Sequence, residues 1–189
     1  MNAEIDITGV RLRTPRLLLR PWRMEDLPDF YEYASVDGVG QMAGWIPHKD
    51  MEESRAILTR FIEGKKTFAL ELDRKAVGSL GIEQYDEDRL PAYAALRGRE
   101  IGCVLAKPFW GQGLMPEAVK AALGWLFDDQ GLDFVTYCHF DWNRQSARVA
   151  QKCGFRPVGE GAYETRYGTV EKDIINLLTR GEWQNGPGN

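Results

Sequence analysis

The 189-residue sequence contains little histidine and cysteine, and this scarcity excludes several kinds of site. The histidines are His48 and His139, and the cysteines are Cys103, Cys138 and Cys153. No C-x-x-C or H-x-x-x-H pair is present, so the ligand spacings of structural zinc sites are missing and we expect no metal. An odd, scattered set of cysteines also argues against a disulfide framework and indicates a reducing compartment, which predicts a cytoplasmic protein.

Long apolar runs and an excess of positive charge are also missing. No segment approaches the ~18 apolar residues of a membrane-spanning helix. Residues 1–10 include Glu4 and Asp6, unlike the basic and then apolar layout of a signal peptide. With 24 Lys and Arg against 28 Asp and Glu, the formal net charge is −4, whereas nucleic-acid binders are usually basic. We therefore expect no membrane and no nucleic-acid partner, and a monomer or homodimer.

The remaining composition is that of an ordinary globular protein, with 43% hydrophobic and 28% charged residues. The length and the absence of a central Pro/Gly/Ser-rich linker predict a single domain over residues 1–180. Residues 181–189, GEWQNGPGN, are rich in Gly, Asn and Pro and are predicted to be a disordered tail.

Hydrophobic periodicity predicts elements in the order β-α-α-β-β-β-α-β-α-β-β, which implies a layered protein with a mixed sheet. A helix is expected from about residue 24, another from Asp50, a third after Gly113 and a short one at about 145–152. Asp50 and Glu53 are spaced as a capping box for the second of these. The predicted strands cover about 16–21, 67–72, 76–85, 100–106, 134–140, 155–163 and 170–179.

The segment 100–120, EIGCVLAKPFWGQGLMPEAVK, is the most informative. A strand leads into Trp110-Gly111-Gln112-Gly113, and a helix follows directly. Glycines lack the Cβ atoms that obstruct a ligand, and the free N–H groups of a helix start bind phosphate oxygens. Pro116 stands where a Rossmann fingerprint needs its third glycine, and no Gly-Lys-Ser/Thr is present. The turn indicates a phosphate-bearing ligand other than NAD(P) or ATP; a purely structural turn is the alternative.

A second informative segment is NRQSARVAQKCGF, residues 143–155. Asn143 and Ser146 bracket the start of a short helix, and either could cap it. Arg144, Arg148 and Lys152 follow at four-residue intervals and form a basic stripe on one helix face. Such a stripe is often only a solvated face. Beside a candidate pyrophosphate turn, it favours contact with the far end of a polyanionic ligand.

Together these segments resemble the GNAT superfamily of N-acetyltransferases, and most closely the branch that acetylates ribosomal-protein N-termini at alanine or serine. The matching segments are LRTPRLLLRPW at 12–22, EIGCVL, FWGQGLMPEAV and N-x-x-S-x-x-x-x-x-K-x-G-F, spread over residues 12–180. The resemblance implies the GNAT fold, of class α/β (α+β). This fold has a mixed, mostly antiparallel central sheet of about six or seven strands, splayed at a bulge and flanked by about four helices.

The resemblance also implies acetyl-CoA as co-substrate and a set of binding residues. Backbone amides of the glycine turn would hold its pyrophosphate, backbone groups of the preceding strand would bind the pantetheine arm and thioester, and Asn143 and Ser146 would lie near the sulfur. Trp110 and Met115 depart from the family pattern of Gln/Arg and a small residue, but the donors are main-chain. With the basic stripe, the predicted cofactor-binding residues are Val104, Leu105, Ala106, Trp110, Gly111, Gln112, Gly113, Leu114, Met115, Asn143, Ser146, Arg148 and Lys152.

The expected reaction is acetyl transfer to a primary amine by direct attack in a ternary complex. A base must deprotonate the amine, whose pKa is roughly 10. Glu100 matches the position of such a carboxylate in several relatives, Glu83 is the weaker candidate, and a solvated strand edge is the alternative for Glu100. Ser146 is the candidate proton donor to the thiolate, with helix capping as its alternative. A backbone N–H near Val104 or Leu105 would hold the oxyanion.

The acceptor itself is either a protein N-terminus or a small-molecule amine. One wall of its cleft is expected from residues 45–48 and another from Tyr163, Glu164 and Tyr167. The strand cysteines are interpreted as buried and structural. A non-catalytic acyl-CoA-binding or regulatory module is the alternative function. An interaction protein with an aromatic surface is a further one.

Overall fold

The structure, a computed structural model, describes residues 1–186, and eight strands in this part of the chain form one sheet. The strands lie side by side in the order β1-β2-β3-β4-β5-β6-β8-β7, and every neighbouring pair is antiparallel except β5 and β6. Their bounds are β1 Leu12–Arg13, β2 Leu18–Pro21, β3 Thr67–Leu72, β4 Lys75–Glu83, β5 Gly98–Leu105, β6 Phe134–Phe140, β7 Arg156–Glu164 and β8 Val170–Thr179.

Helices cover both faces of the sheet. They are α1 Leu27–Ala34, α2 Met51–Gly64, α3 Leu114–Gly124, which continues into a π-helical turn at Trp125–Asp129, α4 Arg144–Lys152 and α5 Arg180–Gln184. Successive strand residues face opposite sides, so Phe68 and Leu70 join the core under α3 while Ala69 joins the core under α1 and α2. No helix in residues 1–186 is long and apolar enough to cross a membrane.

The parallel pair β5 and β6 separates part-way along its length. Only Gly98↔Phe134, Arg99↔Val135 and Glu100↔Thr136 are paired. Beyond this point β5 stays paired with β4 as far as Leu105, and β6 stays paired with β8 as far as Phe140. The predicted splay is therefore confirmed. The β4–β5 ladder has no register shift, so the strands part without the expected bulge there, because each keeps its outer ladder and only the shared one opens.

A buried arginine, Arg20, explains part of the motif at residues 12–22. The Arg20 side chain, 2% exposed, forms a two-pronged pair with Asp26 at 2.7 and 2.8 Å and contacts Glu71 at 2.5 Å. Arg16 contacts Glu117 in the first turn of α3 at 2.7 Å and donates to the Gln112 carbonyl at 2.9 Å. The motif therefore ties the edge of the sheet to the glycine turn.

The predicted elements are present, with two differences. The sheet has eight strands rather than six or seven, because β1 is too short to show periodicity. A fifth helix, α5, begins at Arg180, so the prediction of a disordered tail from residue 181 is wrong for the helical part. Thr179 and Glu182 form a complete capping box, and Trp183 packs on Phe127 with ring centroids 6.0 Å apart. Residues 187–189 lie outside the described part of the chain.

Candidate active site

A first cavity of about 290 Å³ lies where β5 and β6 separate, bordered by α3 and α4. All of the predicted cofactor-binding residues except Ala106 and Gln112 line this cavity. The Ala106 N–H donates to the Val77 carbonyl at 2.8 Å, so this N–H is not free to bind a cofactor. The Gln112 side chain turns away and donates to the Pro108 carbonyl at 2.9 Å, which leaves only its backbone N–H as a candidate donor.

The glycine turn presents a run of unpaired donors to the first cavity. Gly111 and Gly113 have φ angles of +76° and +77°, a left-handed conformation that favours glycine. Within residues 1–186, the N–H groups from Gly111 to Met115 have no acceptor, and α3 begins at Leu114. This arrangement of N–H groups at the positive end of a helix dipole suits phosphate oxygens.

The edge of β5 that faces the gap supplies further backbone groups. Because Ala106 bonds to Val77, the alternation of an antiparallel ladder directs the Val104 N–H toward β4. The N–H groups of Cys103 and Leu105 then point toward the gap. Of the two oxyanion donors that the sequence left open, only Leu105 has the required direction.

Two basic side chains of the predicted stripe reach the first cavity. Arg148 and Lys152 are one turn apart on α4 and line it, and neither forms an ion pair with a carboxylate in the described range 1–186. Arg144 does not line the cavity and is exposed to solvent. The stripe is therefore shared between the cavity and solvent.

Asn143 caps α4, which leaves the hydroxyl of Ser146 free for another partner. The Asn143 Oδ1 accepts from the Ser146 N–H at 3.1 Å, and its Nδ2 donates to the Met42 carbonyl at 3.1 Å. The Ser146 hydroxyl instead lies 2.9 Å from the phenol oxygen of Tyr137. The two capping candidates thus have separate roles.

Tyr137 is a site residue that sequence reasoning missed. Its hydroxyl is 2.9 Å from Ser146 Oγ and 3.2 Å from Cys103 Sγ, and its side chain is buried in the first cavity. Burial raises the pKa of Tyr137 well above its ordinary value, so the phenol remains protonated at neutral pH. The available signal was one tyrosine within the apolar strand FVTYCHF.

Glu100 lies at the last paired position before the strands separate and lines neither cavity. Its Oε2 accepts from the Thr136 hydroxyl and the Cys138 thiol, both at 3.2 Å. Burial raises its pKa, and the bonds from Cys138 and Thr136 only partly oppose this. The next residue on the same strand face is Gly102, which is exposed and has no side chain, and the side chain of Glu83 lies beside it.

The cysteines and histidines have structural surroundings. Burial raises the pKa of Cys103 to about 11 and that of Cys153 to about 12, so these thiols stay protonated at neutral pH. The buried His48 has its Nδ1 2.7 Å from Ser54 Oγ, and the His139 Nδ1 is 2.9 Å from the Phe140 carbonyl. The strand cysteines Cys103 and Cys138, which were predicted to be buried, are both partly exposed, and Cys103 lines the first cavity.

A second cavity, of about 510 Å³, lies on the α1 and α2 side of the sheet. The expected wall residues Trp45, Ile46, His48 and Tyr163 line it, whereas Pro47, Glu164 and Tyr167 do not. Glu83 also lines it and pairs with Lys66 at 2.5 Å. The lining further includes Tyr33, whose buried hydroxyl has no hydrogen-bond partner within residues 1–186.

The two cavities meet at β5. Val104 and Ala43 line both of them, while Cys103 lines only the first and Ser79 only the second. Because Cys103 and Val104 point to opposite faces of the strand, ligands in the two cavities approach β5 from opposite sides of the sheet.

A family model described as an acetyltransferase (GNAT) domain matches residues 16–156, which is most of the chain and includes the glycine turn and α4. The chain belongs to the GNAT acetyltransferase family. Membership makes it an acetyltransferase that depends on acetyl-CoA.

Solved structures with the same fold include members of the branch that the sequence resembles. A GNAT-family acetyltransferase from Bacillus anthracis has a TM-score of 0.79 at 21% identity, with 92% of this chain and 100% of that chain covered. Ribosomal-protein-S5-alanine acetyltransferase from Vibrio fischeri has a TM-score of 0.71 at 20% identity, with 94% of this chain and 100% of that chain covered. Mycobacterium smegmatis RimJ, in complex with CoA-disulfide, has a TM-score of 0.72 at 23% identity, with 91% of this chain and 87% of that chain covered. At these identities the likeness establishes the fold.

Proposed function

We propose that the protein transfers the acetyl group of acetyl-CoA to a primary amine by direct attack within a ternary complex. The observation that carries this proposal is the meeting of two cavities at Val104, from opposite faces of β5. A donor in the first cavity and an acceptor in the second can then be bound together. The three cysteines of the described residues are free thiols, which is consistent with a protein that works in the reducing cytoplasm.

The cofactor is held mainly by main-chain groups. The N–H groups from Gly111 to Met115 bind the pyrophosphate, and Arg148 and Lys152 neutralise further phosphate charge at the other side of the cavity. The pantetheine arm lies along the open edge of β5. The thioester oxygen accepts from the Leu105 N–H, which stabilises the negative charge of the tetrahedral intermediate.

Deprotonation of the amine is assigned to Glu100. The carboxylate takes the proton through a water molecule over Gly102, because Glu100 itself lines neither cavity. Its raised pKa makes it a stronger base than an exposed glutamate. Glu83, directly across the ladder from Glu100, is paired with Lys66 and contributes to acceptor binding.

Departure of the thiolate completes the reaction. The neutral amine nitrogen bonds to the thioester carbon, the C–S bond breaks, and the electron pair stays on sulfur. The second proton that the nitrogen must lose to become an amide leaves to solvent. Ser146 donates its hydroxyl proton to this thiolate. Tyr137, 2.9 Å from Ser146, holds the hydroxyl in place, and solvent returns the proton from Glu100 to Ser146 between turnovers.

The function is tested by two measurements on the full chain. Acetyl-CoA should raise the melting temperature, and an amine panel should release free CoA in proportion to acetylated product. Binding without CoA release from any amine would favour the non-catalytic acyl-CoA module instead. No thermal shift at saturating acetyl-CoA would refute the cofactor assignment.

A further inference from the structure

The second cavity carries two arginines without a carboxylate partner. Arg60 on α2 and Arg166 in the β7–β8 turn both line it, and neither is in an ion pair or side-chain hydrogen bond within residues 1–186. Other arginines of the same chain, such as Arg16, Arg20 and Arg89, are paired with carboxylates at 2.5–2.8 Å. Both side chains are exposed to solvent, so two guanidinium groups at this cavity are accessible to a ligand.

The position of Arg166 is fixed by its backbone. Its N–H donates to the Gly44 carbonyl at 2.8 Å, which joins the β7–β8 turn to the segment before α2. Burial lowers the pKa of the cavity residue His48, the charge of Glu53 raises it, and the charge of Arg166 lowers it. The guanidinium of Arg166 is thus close enough for its field to reach the cavity wall.

Neither carboxylate of the cavity forms an ion pair with these arginines, and the three cations Arg60, Lys66 and Arg166 outnumber the two carboxylates Glu53 and Glu83. Glu83 is held by Lys66 at 2.5 Å, and a Glu53 oxygen accepts from the Lys49 N–H at 2.8 Å. Guanidinium groups bind carboxylate and phosphate oxygens in a forked geometry, which makes them suited to an anionic ligand group. The walls of the same cavity include four aromatic side chains, Phe30, Trp45, Phe61 and Tyr163.

We propose that the acceptor carries an anionic group, a carboxylate or a phosphate, in addition to its primary amine. Arg60 and Arg166 bind the anion, the aromatic walls contact the body of the acceptor, and the amine reaches Val104, where the two cavities meet. This inference rests on the proposed acetyl transfer and adds the chemical class of its substrate.

The test compares amines that differ only in charge. The panel consists of common amino acids with their amides and aminoalkyl phosphates with the matching amino alcohols, assayed by CoA release and by mass of the product. The variants are R60Q and R166Q, and R55Q is the matched control on the same helix, because Arg55 pairs with Glu52 at 3.6 Å and does not line the cavity.

The anionic amines of the panel should be acetylated in preference to the matching neutral amines. Comparing the amino acids with the aminoalkyl phosphates shows whether a carboxylate or a phosphate is favoured. R60Q and R166Q should each lower kcat/KM for them about tenfold or more, through KM, and should leave neutral amines within about twofold. R55Q should change neither. Acetylation of neutral amines alone, or an equal effect of the variants on both classes, would overturn the inference and leave the proposed function standing. If no amine is acetylated although acetyl-CoA binds, both fail.

Discussion

The phenol oxygen of Tyr137 lies 2.9 Å from the hydroxyl oxygen of Ser146 and is shielded from solvent on β6. A serine hydroxyl rotates freely unless a partner holds it. Because burial keeps Tyr137 protonated by raising its pKa, the phenol can fix the orientation of Ser146 toward the first cavity without competing for the proton.

Replacing Tyr137 with Phe should lower kcat about tenfold, the effect of losing one buried hydrogen bond, with little change in KM for acetyl-CoA. Ser146→Ala should lower kcat at least as much, and the double variant should lose no more than Ser146→Ala alone, because Tyr137 acts through Ser146. Tyr85→Phe, a buried tyrosine outside both cavities, is the control. Additive losses would show that the two hydroxyls act independently.

Glu100→Gln should lower kcat by about 100-fold or more, the usual range for a general base, and shift the pH optimum upward, since the amine must then lose its proton to solvent. The base works only when ionised. Since the pKa of Glu100 is raised above 4.5, the acidic limb of wild-type kcat/KM should lie above that value, and in the variant it should be replaced by a limb at higher pH set by the amine. Glu83→Gln should keep the limb and change KM for the amine. An unaltered pH profile in Glu100→Gln would remove Glu100 from the mechanism.

Gly111→Ala or Gly113→Ala should weaken acetyl-CoA binding about tenfold, measured by calorimetry. Space is available for the added methyl group, with no atom within 4 Å at Gly111, so the cost is conformational and amounts to about 1–2 kcal/mol. Gly168→Ala is a matched control, because its φ is +85° and it also has no neighbour within 4 Å, but it lies in the β7–β8 turn. It should lose comparable stability and keep full affinity. Equal affinity losses in all three would point to a general effect on folding.

Arg148→Gln and Lys152→Gln should each raise the Kd for CoA a few-fold, on the order of 0.5–1 kcal/mol for a partly exposed charge contact, and should reduce its dependence on salt. Arg144→Gln belongs to the same helix and lies outside the first cavity, so its Kd should match that of the wild type. The comparison requires only titrations at two ionic strengths. A similar change of Kd in all three variants would mean that the three charges attract CoA at long range and that none of them acts by direct contact.

Arg20→Met should destabilise the fold by about 3–5 kcal/mol in urea unfolding, since it leaves Asp26 buried without its partner. Burial raises the pKa of Asp26, but its bonds from Arg20 and from the Arg23 N–H outweigh this, and the folded value lies below 3.8. The stability from this pair is therefore complete above the unfolded value and is lost as pH falls through the folded one. The variant should lack that acid-dependent part of the stability. If the free energy of unfolding of the variant had the same slope against pH below pH 4 as the wild type, this prediction would be contradicted.

Local patterns predicted the elements well where the chain carries strong periodicity. β6 and β8 have the predicted bounds, and α2 begins after Asp50 as expected. The glycine turn was found because its chemistry lies in consecutive residues. α5 was missed because Gly181 and the later Gly and Pro hid the capping box of Thr179 and Glu182.

The rest of the site depends on contacts between distant segments. The choice between Asn143 and Ser146 as helix cap required the position of Tyr137, on a different element. The second cavity combines α1, α2, β4 and the β7–β8 turn, and no spacing within one segment reveals it. Hydrophobic periodicity also does not predict that the Val104 N–H points toward β4 while the Leu105 N–H points toward the gap.

The three residue pairs that join β5 to β6 have a mechanical consequence. In residues 1–186 they are the only ladder pairs between a five-stranded and a three-stranded half of the sheet, in the order β1–β5 and β6, β8, β7. In the proposed binding mode the pantetheine arm is bonded to β5 and contacts α4, so it joins the two halves at the open end. We therefore expect bound acetyl-CoA to stiffen the sheet there and the release of CoA to remove this link.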